Sequence, residues 1–272
     1  MTSAADAAWA DVLRELYAAQ PAAAEQVIAA SARLRAAGGV PFEVVAGAPA
    51  ALYGTRLSWR AQHPGAATAL ATAAGLDKHP WGTPDWIGLR SDADGTVRCK
   101  AYHRRPAGLE ITTVHRGLVP GLDPVMAALD RSGIEVYATA PGQLRWAAFV
   151  AQALAGFAPA PDPASFQPVP RARARGFAMS ARHDGDELVA VSLYAFTDAL
   201  PDDAAVITRW TSGMSPPDRV AYSAAITAVG QLGTSLRPAH GLLAWSFDRA
   251  GTMMRAASLR VPPLAARFLD PV

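Results

Sequence analysis

A chain of 272 residues that is 51% hydrophobic and only 18% charged has the composition of a folded globular protein, which excludes disorder. Its net charge of +2 excludes a general nucleic-acid binder, because such a protein concentrates phosphate-neutralising side chains on one face. One cysteine, Cys99, excludes an internal disulfide and a thiolate metal cluster.

No apolar run of ~18 residues is present, so a membrane span is not expected. The start, MTSAADAAWADVLRELYAAQ, carries acidic residues where an export signal carries a basic flank and an apolar stretch, and a cytosolic location follows as the expectation. Lys78 and Lys100 are the only lysines among 25 basic residues. Biased composition in a chain rich in Ala, Gly and Pro accounts for that preference, yet Lys100 falls inside a predicted strand.

In chain order, about Ser3 to Ala37 places Trp9, Val12, Leu13, Leu16, Tyr17, Val27, Ile28 and Leu34 at three- and four-residue spacings, predicting one or two amphipathic helices stopped by Gly38-Gly39. A strand is expected over Tyr53 to Gln62 and a helix over Pro64 to Ala74. The first hairpin joins Trp86–Leu89 to Val97–His103 through Asp92 to Gly95, which supply a tight turn. A helix is expected over Asp123 to Ser132. A second hairpin is expected to join Ile134–Thr139 to Arg145–Val150, with a helix over Phe149 to Phe157 after it. The stretch APAPDPASFQPVPRARAR, Ala158 to Arg175, reads as a semi-rigid connector within one domain. Hairpins Gly176–Ala181 with Leu188–Phe196, and Leu242–Phe247 with Met253–Val261, flank a helix over Pro217 to Leu232.

Strands that come in pairs, recurring every roughly 45–65 residues beside a helix, predict a closed antiparallel sheet with helices outside it. Within the first hairpin, Arg98, Lys100 and Tyr102 share one face, since side chains two apart point the same way. That polar face looks either into the ring or into water. Histidines 63, 79, 103, 115, 183 and 240 show no metal-ligand spacing, and no nucleotide fingerprint, P-loop, nucleophile elbow or zinc signature is present. His103, His240, Glu110, Glu135 and Asp85 lie near strand ends as candidate proton acceptors.

The stretch WIGLRSDADGTVRCKAYHRRP, with the later hairpins that end in VAVSLYAF and RAASLRV, resembles the soluble aromatic prenyltransferases of the ABBA (αββα, PT-barrel) family, short bacterial type. The resemblance covers order and spacing from about Tyr53 to Val261. It implies an α+β fold, a ten-stranded antiparallel barrel of repeated αββα units surrounded by helices, as a single domain. It also implies transfer of an allylic prenyl group from its diphosphate to a small aromatic precursor. Lys100 and Tyr102 match the family's first-hairpin lysine and tyrosine, and Arg60 and Arg255 fall where it places further diphosphate donors. The family's basic and amide positions of the second hairpin fall at about Gln143 and Ala147, and its arginine of the third at Val189, so Arg145 is the compensating candidate. Arg98, Trp86, Tyr137, Phe149, Tyr194 and Trp245 are expected to line the substrate chamber. Where family members that use magnesium carry an aspartate, Ser58 stands here, which implies a reaction with no metal and no cofactor. The implied partners are an allylic diphosphate and an aromatic molecule, with a monomer and neither nucleic acid nor membrane. Two other readings of the same barrel are a diphosphate-free cyclisation or rearrangement enzyme and a non-catalytic carrier of a hydrophobic ligand.

Overall fold

The computed structural model describes residues 4–18, 20–48, 55–92, 94–104, 122–130, 133–140, 145–154, 174–197, 208, 210–231 and 240–261. Its strands are β1 (Gly39–Ala48), β2 (Arg56–Ala61), β3 (Trp86–Ser91), β4 (Val97–Arg104), β5 (Asp123–Asp130), β6 (Gly133–Ala140), β7 (Ala174–Asp184), β8 (Glu187–Thr197), β9 (His240–Asp248) and β10 (Met253–Arg260). They close into one barrel in the order β1-β10-β9-β8-β7-β6-β5-β4-β3-β2, with antiparallel pairing along β1–β4 and β5–β9. Closing the sheet leaves no strand edge exposed for a foreign strand to join. The helices are α1 (Ala4–Leu16), α2 (Pro21–Ala36), α3 (Ala67–Ala73), α4 (Trp146–Leu154) and α5 (Pro216–Gln231).

Two compact units divide the described chain. The first holds α1–α3, α5, β1–β4 and the end of β10. Here the odd-numbered positions of β2 and β3 are the apolar ones: Leu57, Trp59, Ile87 and Leu89 are buried almost completely. Trp9 of α1 meets Trp59 edge-on, with ring centroids 6.2 Å apart. Pro21 starts α2 at a position where the missing N–H costs nothing. Gly38, at φ +81°, ends the turn after it, and a Cβ at Gly39 would stand 2.7 Å from the Leu34 carbonyl. Only glycines permit so abrupt a passage from helix to strand. The Tyr17 hydroxyl donates to the Thr55 carbonyl, and burial raises its pKa far above the usual phenol value.

The second unit holds β5–β9, most of β10 and α4. One face of its sheet carries Phe177, Met179, Ala181, Val191, Leu193, Leu243, Trp245 and Phe247, all buried. Trp146 and Phe149 of α4 pack there, Trp146 lying 4.9 Å from Phe177 and 5.2 Å from Trp245 between ring centroids.

Two expected elements are corrected. Asp123–Asp130 is strand β5 rather than a helix, and it, not 145–150, pairs with β6. The helix-favouring Met126, Ala127, Ala128 and Leu129 yield to ladder hydrogen bonds that closure of the ring requires, since propensity is weaker than tertiary pairing. Residues 146–154 form α4, whose buried Trp146, Phe149, Val150, Ala153 and Leu154 follow the 3.6-residue period. β1 is a strand that the alternation conceals, because its register shifts between Pro41 and Glu43. Most of the proline-rich connector, 158–173, lies outside the described residues.

Phe149→Ala would open a cavity between α4 and β7. We expect a loss of about 3–5 kcal/mol of unfolding free energy in urea titration, whereas the exposed Val220→Ala changes it little.

Candidate functional site

Register on β2, β3 and β4 assembles the first unit's polar face. Arg56 pairs with Arg90 and Arg90 with Arg98, so three guanidinium side chains form one row across adjacent strands. The next row is Ser58, Gly88 and Lys100, and beyond it Trp86 faces Tyr102. These positions alternate with Leu57, Ile87, Leu89 and Ala101, which are buried on the helix side. Arg56, Lys100 and Tyr102 therefore point to the inside of the ring.

Like charges placed directly opposite one another repel, and the row is held together by anions and an aromatic ring. Asp92 forms an ion pair with Arg98 and approaches Arg90 at 3.8 Å. Arg56 Nη1 donates to the Tyr102 hydroxyl at 2.9 Å, and its guanidinium carbon lies 5.7 Å from the Tyr102 ring centroid. Lys100, only 4% exposed, places Nζ 5.6 Å from the same centroid. Trp86 stacks on the Tyr102 ring at 5.4 Å with 12° between the planes. Gly88 makes this stack fit, since a Cβ there would lie 2.9 Å from Tyr102 Cε2 and 3.3 Å from Arg56 Cδ.

A carboxylate stands beside these cations. Glu43 of β1 pairs with Ser58, whose Oγ donates to Oε2 at 2.8 Å, while the Ser258 hydroxyl donates to Oε1 and Arg56 Nη2 lies 3.8 Å away. Two serines and an arginine hold Glu43 in one orientation, and a carboxylate, with roughly four acceptor sites, keeps capacity for one more donor. The inner face thus combines fixed positive charge, a stacked aromatic pair and an oriented hydrogen-bond acceptor.

Lys100, Tyr102, Trp86 and Arg98 share one face of the β3–β4 pair. Arg60 follows the inward positions of β2 but is exposed at the strand end, its guanidinium 5.6 Å from the Phe42 ring centroid. Arg56, one inward position earlier, takes the place next to Lys100. Arg255 is corrected: it donates to the Trp210 carbonyl at 3.4 Å and lies against Gly213, within the second unit. Burial lowers its pKa. Its position is an odd number of residues from Ser258, which points inward, so the two alternate across the strand. Arg145 is likewise corrected, because it is exposed and precedes α4, accepting the Phe149 N–H at 3.0 Å. Phe149 and Trp245 belong to the layer between sheet and helix. Tyr137 and Tyr194 lie on the opposite, inward face of β6 and β8, with ring centroids 6.0 Å apart. Val189 falls at the bulge where the β7–β8 register shifts, and its neighbour Ala190 pairs with Arg182. Gln143 and Glu110 lie outside the described residues, Asp85 is exposed, and His103 and His240 are buried. Burial raises the Cys99 thiol pKa.

Sequence reasoning missed Glu43 and Arg56. Glu43 was hidden because the bulge breaks β1's alternation, and Arg56 because the strand's phase became visible only from buried Leu57 and Trp59. Among the described residues no group of three His, Cys, Asp or Glu side chains is arranged to hold a metal ion.

No family model and no curated protein matches the chain. Solved structures do. The 5-dimethylallyltryptophan synthase from Streptomyces coelicolor, in complex with DMASPP and Trp, superposes with TM-score 0.64 and 13% identity, over 100% of this chain and 98% of that one. The prenyltransferase PriB, in a ternary complex with L-tryptophan and dimethylallyl thiolodiphosphate, gives TM-score 0.64 and 13% identity over 98% and 97%. The fold is the PT barrel of the ABBA aromatic prenyltransferases. In this PT barrel the described helices include none long and apolar enough to cross a membrane.

Gly88→Ala would press a methyl group onto the Tyr102 ring. We expect about 1–3 kcal/mol of destabilisation and altered near-ultraviolet circular dichroism from the Trp86–Tyr102 stack; a neutral effect would remove Tyr102 from this position.

Proposed function

We propose that the protein is an aromatic prenyltransferase. The observation that carries the reading is the meeting of Arg56, Lys100, Arg90 and Arg98 with the Trp86–Tyr102 stack on one inner face. Ionising an allylic C–O bond creates a pyrophosphate anion and a carbocation together. The anion is stabilised by donors already in place, and the cation by π faces that exclude water. Arg56 and Lys100 supply the first, with Arg90 and Arg98 raising the local positive potential, and Tyr102 with Trp86 supplies the second.

Glu43 then accepts the polar hydrogen of the aromatic substrate, an indole N–H or a phenol O–H. Withdrawing that hydrogen raises electron density on the ring, so the carbon attacks the allyl cation more readily. Ser58 and Ser258 keep the carboxylate oriented. The tryptophan in the two matched complexes supports an indole-bearing acceptor. The fixed cations offset the leaving group's charge, so the reaction needs no divalent metal or cofactor.

The diphosphate-free alternative and the ligand carrier differ in what they bind. Calorimetry with dimethylallyl diphosphate should show submillimolar binding, and Lys100→Ala should weaken it by roughly ten- to hundredfold, the worth of one charge-assisted contact. Arg60→Ala should leave it almost unchanged. Absence of heat with the wild-type protein sinks the prenyl-transfer reading. Turnover with tryptophan as acceptor should survive EDTA, and Glu43→Gln should lower kcat while diphosphate binding persists.

A further inference from the structure

The turn between β3 and β4 lies at the edge of the arginine row and carries an anion of its own. Asp92 directly follows β3, and its carboxylate forms the ion pair with Arg98 and stands 3.8 Å from Arg90 Nε. The backbone around it is closely held. The Asp92 N–H donates to the Thr96 carbonyl at 2.8 Å, and the Asp92 carbonyl accepts the Gly95 N–H at 2.9 Å, with Gly95 at φ +80°. Asp94 Oδ1 accepts the Thr96 N–H at 2.9 Å. The start of α2 clamps the same turn from the helix side. Buried Ser91 donates to Gln20 Oε1 at 2.6 Å, and Gln20 Nε2 donates to the Asp92 carbonyl at 3.5 Å. Gln26 donates to the Gly95 carbonyl and accepts the Val97 N–H, each at 3.4 Å. A short aspartate on a backbone so fixed is a stationary negative charge.

Resting on the prenyl-transfer reading, we propose that Asp92 is an internal counter-anion that weakens the row's hold on diphosphate and so lets the pyrophosphate product leave. Arg56, Arg90, Arg98 and Lys100 converge on this part of the inner face. Unopposed, they would retain the released pyrophosphate, and slow product release limits turnover. The Arg98–Asp92 pair is partly open to solvent, its side chains 36% and 27% exposed, so it adds little to stability. Its negative charge acts instead on whatever anion binds beside it. Coulomb energy scales with the product of the charges, so a fixed carboxylate opposes pyrophosphate more than it opposes the less charged orthophosphate. A purely structural Asp92 predicts the opposite sign. Without the ion pair Arg90 and Arg98 would lose their orientation, and anions would bind more weakly.

Calorimetry with inorganic pyrophosphate and orthophosphate at low ionic strength decides between the two. Asp92→Asn, which keeps the backbone bonds of the turn, should tighten pyrophosphate about tenfold and orthophosphate less, and the gain should shrink at high salt. Combining Asp92→Asn with Arg98→Ala restores the charge balance and should return pyrophosphate affinity close to that of the wild-type protein. In turnover with dimethylallyl diphosphate and tryptophan, pyrophosphate should inhibit Asp92→Asn correspondingly more strongly. Unchanged or weakened pyrophosphate binding in Asp92→Asn, folded by circular dichroism, overturns the inference. Should Asp92→Asn not fold, Asp92→Ser carries the same expectations, since serine also serves in turns. If the wild-type protein binds pyrophosphate but transfers no prenyl group, the prenyl-transfer reading fails alone, and the affinity comparison still decides the role of Asp92. Pyrophosphate bound by neither protein overturns both.

Discussion

In a closed antiparallel sheet wrapped by helices, each residue faces one of two surroundings, and its neighbour faces the other. The outer position has a helix to pack against and is filled by Trp59, Leu89, Leu193 or Trp245. The inner position has no helix. A charged side chain there loses bulk water and persists only when other groups take over its solvation. Inward polar residues in this chain accordingly come as networks: Glu43 with Ser58, Ser258 and Arg56; Arg98 and Arg90 with Asp92; Glu135 with Ser180 and Tyr194.

The same constraint explains why charge is distributed as it is. Lys100 is one of two lysines, and its ammonium lies over Tyr102 beside the arginine row. A compact ammonium supplies a point charge that a planar guanidinium, already engaged with a tyrosine hydroxyl, does not. Arginine elsewhere has structural duties, as at Arg255 with the Trp210 carbonyl or Arg249 with Glu187. Positive charge alone does not mark a substrate site; direction across the sheet does.

That distinction sets what was legible in the sequence. Hairpins announced by Asp92–Gly95, Gly185 and Gly251 were readable, because tight turns demand particular backbone angles and glycine supplies them. Helices α1, α2, α3 and α5 were readable from their apolar spacing. β5 was not, since Met-Ala-Ala-Leu favours a helix in isolation and becomes a strand only because the ring needs it. α4 was half-read: its period begins at Trp146, where a strand had been placed. Among site residues, Lys100, Tyr102 and Trp86 follow from one unbroken hairpin register. Arg60 kept the inward phase but stands exposed at the strand end, Arg145 precedes a helix that had been read as a strand, and Arg255 lies one phase off the inward positions of its strand. Glu43 sits past a bulge, where alternation no longer counts correctly.

The central claim is that Arg56 and Lys100, seated inside the ring, receive the diphosphate. A crystal structure with dimethylallyl thiolodiphosphate bound tests it most directly. The account predicts diphosphate oxygens within hydrogen-bond distance of Lys100 Nζ and the Arg56 guanidinium, with the allyl carbons against the Tyr102 and Trp86 rings. A diphosphate bound instead at exposed arginines such as Arg60 or Arg145, with Lys100 untouched, would contradict it.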